Sequence, residues 1–290
     1  MNRKTALLLI NHHARKGKQS ADEVVDQLKA LGLTLIEADI DNPAHLAETI
    51  HQYQEQVDLV IIGGGDGTLN AAIAALVETQ LPLGIIPLGT ANDLARTLAI
   101  PVALSEACQI IAAGHTQRID LGWVNGKYFF NVASLGLSVQ ITRSLTRDVK
   151  RRWGILAYGI TALQALWRSQ PFGAEIQIGD RSERVKTVQI AVGNGRFYGG
   201  GMTVAADAAI NDERLDLYSL DMKHWWQMLA LLPALRLGQH ASASWVHAWA
   251  SQEFHVYTRR PRSINTDGEI TTATPAHFRV IPKALSVFVP

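Results

Sequence analysis

The sequence predicts an α/β N-terminal domain built on a parallel sheet, followed by a mainly antiparallel β-sandwich second domain. Over the first ~120 residues, short apolar runs alternate with segments of helical spacing, the pattern of successive βαβ units. Beyond that point the periodicity shortens to two, and Asn125-Gly126 separates two alternating runs, a strong hairpin signal. The 290 residues are 47% hydrophobic and 18% charged, which is enough apolar material for two cores.

The elements follow in order. "ALLLIN" (6–11) reads as a strand, and residues 19–31 have helical spacing. "LTLIEA" is a second strand, with a second helix over 43–55 after Pro43. "DLVIIGG" and "LPLGIIPLG" are the third and fourth strands, followed by helices over "TLNAAIAALVE" and "TANDLARTLA". In a parallel sheet the loops after the strand C-termini form the site. In the second part, "RIDLGWVNGKYFFNVAS" is the hairpin. Further strands are expected at 174–179, 184–194, 214–220, 253–258, 262–266, 277–281 and 285–289, with helical stretches near 137–168 and 223–237. The domains are placed at 1–118 and 119–290, with a last strand that could return to the first domain.

Several classes are excluded early. The formal net charge of +1 gives no case for nucleic acid as a partner. The single cysteine, Cys108, rules out an internal disulfide framework, suits a reducing compartment and reads as a buried residue on a helix. The apolar run Ala6–Ile10 is too short for a signal peptide, and no run of about 18 apolar residues predicts a transmembrane helix.

Two loops carry the chemistry. In "GGGDGT", Gly63, Gly64, Gly65 and Gly67 surround Asp66 and precede Thr68. Glycines permit positive φ and let backbone N–H groups converge on an anion, and the helix that follows adds its positive end. There is no GxxxxGK[ST] and no GxGxxG in this turn, so it is neither a Walker loop nor a dinucleotide fingerprint. An aspartate beside phosphates is explained if Mg²⁺ lies between them. Otherwise this is an ordinary strand-to-helix turn with Asp66 as N-cap. In "IIPLGTANDLART", Gly89, Thr90, Asn92 and Asp93 cluster at the next strand end, where Thr90 or Asn92 could simply cap the helix.

Together "GGGDGTLN" and "PLGTANDLAR" resemble the diacylglycerol kinase catalytic-domain family, and within it the soluble bacterial diacylglycerol kinases and YegS-like lipid kinases. The stretches "NVASLGL", "KRRWGILAYGITAL", "VGNGRFYGGGM", "INDERLDL" and "NTDGEI" extend the likeness over nearly the whole chain. The first loop alone is also similar to that of NAD kinases and phosphofructokinases, whose fold the first domain would share. The resemblance implies ATP and Mg²⁺ as cofactors, with Asn11, Gly63–Thr68, Gly89, Thr90, Asn92 and Asp93 at the nucleotide. Asp66 would organise the metal and the phosphates. Asp267 would be the general base toward a lipid hydroxyl, and Glu269 would help hold metal and water. The chemistry agrees, since phosphoryl transfer needs positioning, charge neutralisation and a carboxylate near the attacking hydroxyl. Asp267-Gly268 can also be a plain turn. Asp212 in "INDERLDL" resembles the aspartate of the family's structural metal loop, but Glu213 stands where the family commonly has glycine. His12 replaces a common proline, and Ala71 replaces a common glutamate. "ARKGK" offers Arg15, Lys16, Gly17 and Lys18 as phosphate-binding candidates or as a solvated basic loop.

The reading is an ATP- and Mg-dependent kinase acting on a hydroxyl of a membrane lipid, such as diacylglycerol or phosphatidylglycerol. The alternatives are a NAD kinase-like enzyme and a non-catalytic nucleotide- or lipid-binding regulator. A cytoplasmic protein that binds membranes reversibly is expected. Arg143, Arg147, Lys150 and Arg151 share one helical face, with Trp153 and Tyr158 following. Trp225 and Trp226 head a short apolar stretch that reads better as a core helix than as an anchor. A homodimer is kept as a possible assembly.

Overall fold

The computed structural model describes residues 4–11, 17–40, 42–144, 170–203, 207–222, 227 and 245–290. By contacts the chain divides into two units. One is Met1–Leu121 with Gly199–Gly201 and Ile281–Pro290, and the other is Gly122–Tyr198 with Met202–Val280.

The first unit winds as β1 (Thr5–Ile10), α1 (Gly17–Ala30), β2 (Thr34–Asp39), α2 (Leu46–Tyr53), β3 (Leu59–Gly64), α3 (Asp66–Thr79), β4 (Leu83–Pro87), α4 (Asp93–Thr97), α5 (Leu104–Ala113) and the start of β5 (Thr116–Val124). The strands lie in the order β2-β1-β3-β4, all parallel, with Leu8 opposite both Glu37 and Ile61, and Ile62 opposite Ile85. β3 and β4 are buried along their whole length, which is why they read as continuous apolar runs. β1 lies between β2 and β3, so the winding reverses there, and the ends of β1 and β3 form the switch point where α/β sheets bind ligands. Cys108 is buried on α5, and burial pushes its thiol up to about 11.

Local chemistry adjusts several expected elements. The helix expected over 43–55 splits into a 3-10 turn, Pro43–His45, and α2. Asn42 begins the turn, its side chain accepting from the Ala44 N–H at 3.0 Å. α5 is the helix on which the sequence places Cys108. α4 is only five residues long, because Gly89–Asn92 is taken up by a separate loop.

The second unit is antiparallel. It contains the end of β5, β6 (Lys127–Phe129), β7 (Val132–Gly136), α6 (Leu137–Ser144), β8 (Phe172–Ile178), β9 (Arg181–Thr187) and β10 (Gln189–Gly193). A two-residue pair, β11 (Phe197–Tyr198) and β12 (Met202–Thr203), is followed by β13 (Leu215–Leu220), β14 (Val246–Ser251), β15 (Glu253–Thr258), β16 (Ser263–Thr266), β17 (Glu269–Ala273) and β18 (Ala276–Phe288). One sheet has the order β14-β13-β10-β7-β16-β17, and β18, β15, β8 and β9 pair in sequence in the other. Leu135, Ile190, Leu217 and Ile264 of the first pack with Phe172, Ile176, Phe254 and Phe278 of the second, so the core lies between the two sheets. Alternation puts Tyr218 and Leu220 on the far face of β13, where they pack with Leu137 of α6.

The expected hairpin is present, with Asn125 (φ 47) and Gly126 (φ 89) both left-handed as a type I′ turn requires. The strand expected over 184–194 divides into β9 and β10. Those expected at 277–281 and 285–289 are continuous in β18. That strand passes through Lys283 (φ 49), whose N–H donates to Asp120 Oδ1 at 2.7 Å and whose carbonyl accepts from Arg118 Nε at 2.8 Å. Its final residues belong to the first unit, where Val287 pairs in parallel with Leu83.

Candidate active site

At the end of β1, the Asn11 N–H donates to the Gly63 carbonyl at 2.8 Å, and Asn11 Nδ2 donates to Thr68 Oγ1 at 2.9 Å. One side chain thus ties the first strand to the first turn of α3. The glycines of the loop have packing reasons. A Cβ on Gly63 would lie 3.1 Å from both Ile10 Cγ1 and Leu88 Cδ1, and one on Gly64 would lie 2.7 Å from Thr68 Cβ. Gly65 and Gly89 pass backbone against backbone, so that a Cβ on Gly89 would meet Gly65 Cα at 2.5 Å. None of these glycines has positive φ, which corrects the expectation that the loop needs left-handed residues. Gly67 differs from the rest: it is exposed in the first turn of α3, with nothing within 4 Å of an added Cβ. Neither conformation nor packing demands a glycine there.

Asp66 is the first residue of α3, and Gly65 takes the N-cap position. The Asp66 carboxylate reaches the neighbouring loop instead, where Oδ1 accepts from the Leu94 N–H at 3.2 Å. Asn92, in left-handed conformation at φ 50, makes no cap bond to α4. Its side chain closes the loop on itself, with Oδ1 accepting from the Gly89 N–H at 2.9 Å and Nδ2 donating to the Gly89 carbonyl at 3.2 Å. Thr90 is exposed at the tip of this loop. Asp93 is buried, and both its oxygens accept from the Gly200 N–H, at 2.9 and 3.1 Å. Burial holds its carboxyl above the usual range, opposed by the Gly200 bond and reinforced by the nearby charge of Asp66.

A second group lies in the second unit. Asp267 and Gly268 form the two-residue turn between β16 and β17, with φ 46 and 98 and Thr266 opposite Glu269. This is the turn geometry that Asp-Gly favours. The side chain does more than shape the turn. Asp267 Oδ2 accepts from the Phe130 N–H at 2.7 Å, and Oδ1 accepts from the Asn131 and Val132 N–H groups, each at 3.0 Å. Asn194 Nδ2 donates to the Phe130 carbonyl at 2.8 Å, so "FNV", Asn194 and Asp267 form one hydrogen-bonded set. Glu269 is exposed at the start of β17.

Asp212 lies in a loop before β13, with Oδ2 accepting from the Ala209 N–H at 3.2 Å and Oδ1 from the Arg214 N–H at 3.3 Å. Arg214 stands among three acids: Asp207 at 2.8 Å, Asp212 at 3.2 Å and Asp216 at 3.6 Å. A guanidinium already neutralises Asp212, so a metal there would have to displace it. Glu213 has φ 58, a left-handed conformation that glycine adopts more easily than glutamate.

The sequence-predicted residues therefore fall into one group in the first unit and two places in the second, Asp267 with Glu269 and, separately, Asp212. The Asp93–Gly200 bond was missed. Its only signal is "YGGG", where Gly199, Gly200 and Gly201 have φ of 58, 87 and 106. Of the expected membrane face, Arg143 donates through Nη2 to Ser263 Oγ at 2.8 Å. Arg147, Lys150, Arg151, Trp153, Tyr158, Trp225 and Trp226 lie outside the described residues, as do Arg15 and Lys16. Among the described residues, no helix is long and apolar enough to cross a membrane.

Comparison with known proteins gives the family of the chain. Residues 5–124 match the family described as "Diacylglycerol kinase catalytic domain", and residues 131–289 match "YegS C-terminal NAD kinase beta sandwich-like domain". The "Probable lipid kinase YegS-like" of Citrobacter koseri is 35% identical, over 81% of this chain and 79% of that protein. The "Probable lipid kinase YegS" of Salmonella typhimurium is 34% identical over the same shares. A crystal structure of a diacylglycerol kinase from Bacillus anthracis covers 100% of this chain and 98% of its own, with TM-score 0.78 at 20% identity. The chain belongs to the diacylglycerol kinase catalytic-domain family, in the branch that carries the YegS-type C-terminal β-sandwich.

Proposed function

We propose that the protein is a lipid kinase that transfers the γ-phosphate of ATP to a hydroxyl of a membrane glycerolipid such as diacylglycerol or phosphatidylglycerol. One observation carries the reading: two glycine loops packed backbone to backbone at adjacent strand ends, with a half-buried aspartate between them and open space at Gly67. The N–H groups at the start of α3 and the space at Gly67 suit a phosphate chain. The residues present also fit Mg²⁺. Asp66 and Asp93 are like charges close enough to disturb each other, and the second Asp66 oxygen has no partner among the described residues. Asp66 would hold the ion, which would neutralise phosphate charge as the transfer proceeds.

The chain's own contributions are positioning and proton removal. Asn11 and Thr68 fix the loop, and Asn92 fixes the second loop against it. Asp267 takes the lipid hydroxyl proton in this reading. Backbone donors occupy three acceptor positions of its carboxylate and fix its orientation. Glu269, exposed two residues on, adds negative charge beside Asp267.

The test uses purified protein, γ-labelled ATP, Mg²⁺ and mixed micelles carrying a lipid panel, with Asp267→Asn and Asp66→Asn in parallel. Label in one lipid, lost in both variants while their folds persist by circular dichroism, is the expected result. No label in any lipid, with label entering NAD added to the same mixture, would replace this reading by its nearest rival.

A further inference from the structure

β15 and β18 place three potential metal ligands together on a face that the proposed kinase chemistry does not use. Their register sets His255 opposite His277 and Glu253 opposite Arg279. The Val280 N–H donates to the Gln252 carbonyl at 2.9 Å, so alternation along the ladder makes His255–His277 a non-hydrogen-bonded pair, the closer of the two pair types. Phe254 and Phe278 are fully buried in the core, so Glu253, His255 and His277 emerge together on the opposite face.

The side chains converge. His255 Nε2 is 3.1 Å from Glu253 Oε1, and His277 Nε2 is 2.6 Å from the same oxygen. One ligand atom from each residue lies within 4.8 Å of the others, and the two imidazoles stack with centroids 4.4 Å apart. His277 Nε2 is buried from solvent and makes no aligned hydrogen bond despite that short approach. A ring nitrogen and a carboxylate oxygen this close favour a positive charge at the pair, which either a proton on the ring or a metal ion supplies. Arg279, the residue across from Glu253, does not supply it. Its guanidinium lies over the Trp123 ring, 4.4 Å from the centroid.

The surroundings hold this arrangement. The His277 N–H donates to Asn125 Oδ1 at 3.0 Å, and the Asn125 N–H donates to the His277 carbonyl at 3.3 Å. Asn125 Nδ2 in turn donates to the Ala273 and Pro275 carbonyls. The Trp123 ring meets His277 edge-on, and Tyr257 stacks on His255.

We propose that Glu253, His255 and His277 bind one zinc-class divalent transition-metal ion. Two imidazoles and one carboxylate are a donor set for such ions and not for Mg²⁺, which prefers oxygen ligands. Convergence on one ion tilts the two rings out of their stack by rotation about χ2, a soft torsion. Three protein ligands leave positions for water, and the ion clips β15 to β18.

The experiment titrates Co²⁺, a visible spectroscopic stand-in for zinc, into metal-stripped full-length protein in excess Mg²⁺. Wild type is compared with His255→Ala/His277→Ala, and separately with Glu253→Gln, which keeps shape and both histidines. The expected result is one equivalent of Co²⁺ with tetrahedral-type absorption in wild type. The double variant loses that equivalent, and Glu253→Gln binds it at least about tenfold more weakly. Zinc should also raise the melting temperature of wild type and leave the double variant unmoved. Equal uptake and equal spectra in all three proteins would overturn the proposal, since the ion would then bind elsewhere, for example at His12 and His13.

Discussion

Asp66 shows how one side chain serves two loops. It opens α3 and accepts from the Leu94 N–H at the start of α4, so its position depends on both strand ends. Asp66→Asn keeps that acceptor and removes the charge. The expected outcome is a fall in lipid phosphorylation of at least about a hundredfold, the scale for losing a main electrostatic element at a phosphoryl-transfer site. Thermal stability should change little. Unchanged turnover would remove Asp66 from the chemistry. Glu213 offers a second test at this scale. A non-glycine residue at φ 58 carries a strain of roughly 1 kcal/mol, which glycine relieves at the cost of a more flexible unfolded chain. Glu213→Gly relieves that strain and also removes the side chain's own interactions, so the melting temperature reads the balance: a rise would show that strain is the larger, and a drop of several degrees that the Glu213 side chain holds this loop.

The glycine loops make a separable prediction about an element. Gly89→Ala places a methyl 2.5 Å from Gly65 Cα, and backbone cannot move aside as a side-chain tip can, so both loops must shift. Gly67→Ala meets nothing and adds a better helix former to α3, so it should hold or raise stability by up to about 1 kcal/mol. If the space at Gly67 receives phosphate, Gly67→Ala should still weaken ATP binding severalfold in calorimetry. Normal binding would show that the space is merely solvent. These loops were legible in the sequence because consecutive glycines weaken both a strand end and a helix start, and so mark a close approach of backbone or ligand. What approaches was not legible, since the Gly65–Gly89 contact depends on two strands being neighbours. Asp93–Gly200 and Asp267 with Phe130–Val132 were invisible for the same cause: partners over a hundred residues apart, meeting through backbone N–H groups, leave no pattern in either segment. The splitting of 43–55 and the shortening of α4 are side-chain decisions by Asn42 and Asn92 that override helical periodicity. His255 and His277 needed a register that no local pattern specifies.

For the whole molecule, stability against pH includes one contribution opposite in sign to ordinary acid lability. Asp216 lies on β13 and is nearly buried, and burial pushes its carboxyl up to about 6 despite the opposing charge of Arg214. A carboxyl whose folded value exceeds its ordinary 3.8 binds more protons folded than unfolded between those two values. Stability therefore falls as pH rises from about 3.8 to about 6. The full penalty, on the order of 3 kcal/mol, is present above that window. Asp207 acts in the opposite sense, because its hydrogen bond to Arg214 lowers its carboxyl, but it is largely exposed and solvent screens it. The composite curve of wild type thus mixes several groups, and the difference from Asp216→Asn isolates one. The lost contact to Arg214 gives that variant a constant offset, independent of pH. The titrating part appears as a slope: the stability of Asp216→Asn relative to wild type should rise steadily between pH 4 and 6 and level off above. Chemical denaturation in EDTA across that range measures it with the Asp212 loop free of added metal. A flat difference would show that Asp216 ionises normally, and that Arg214 fully offsets its burial.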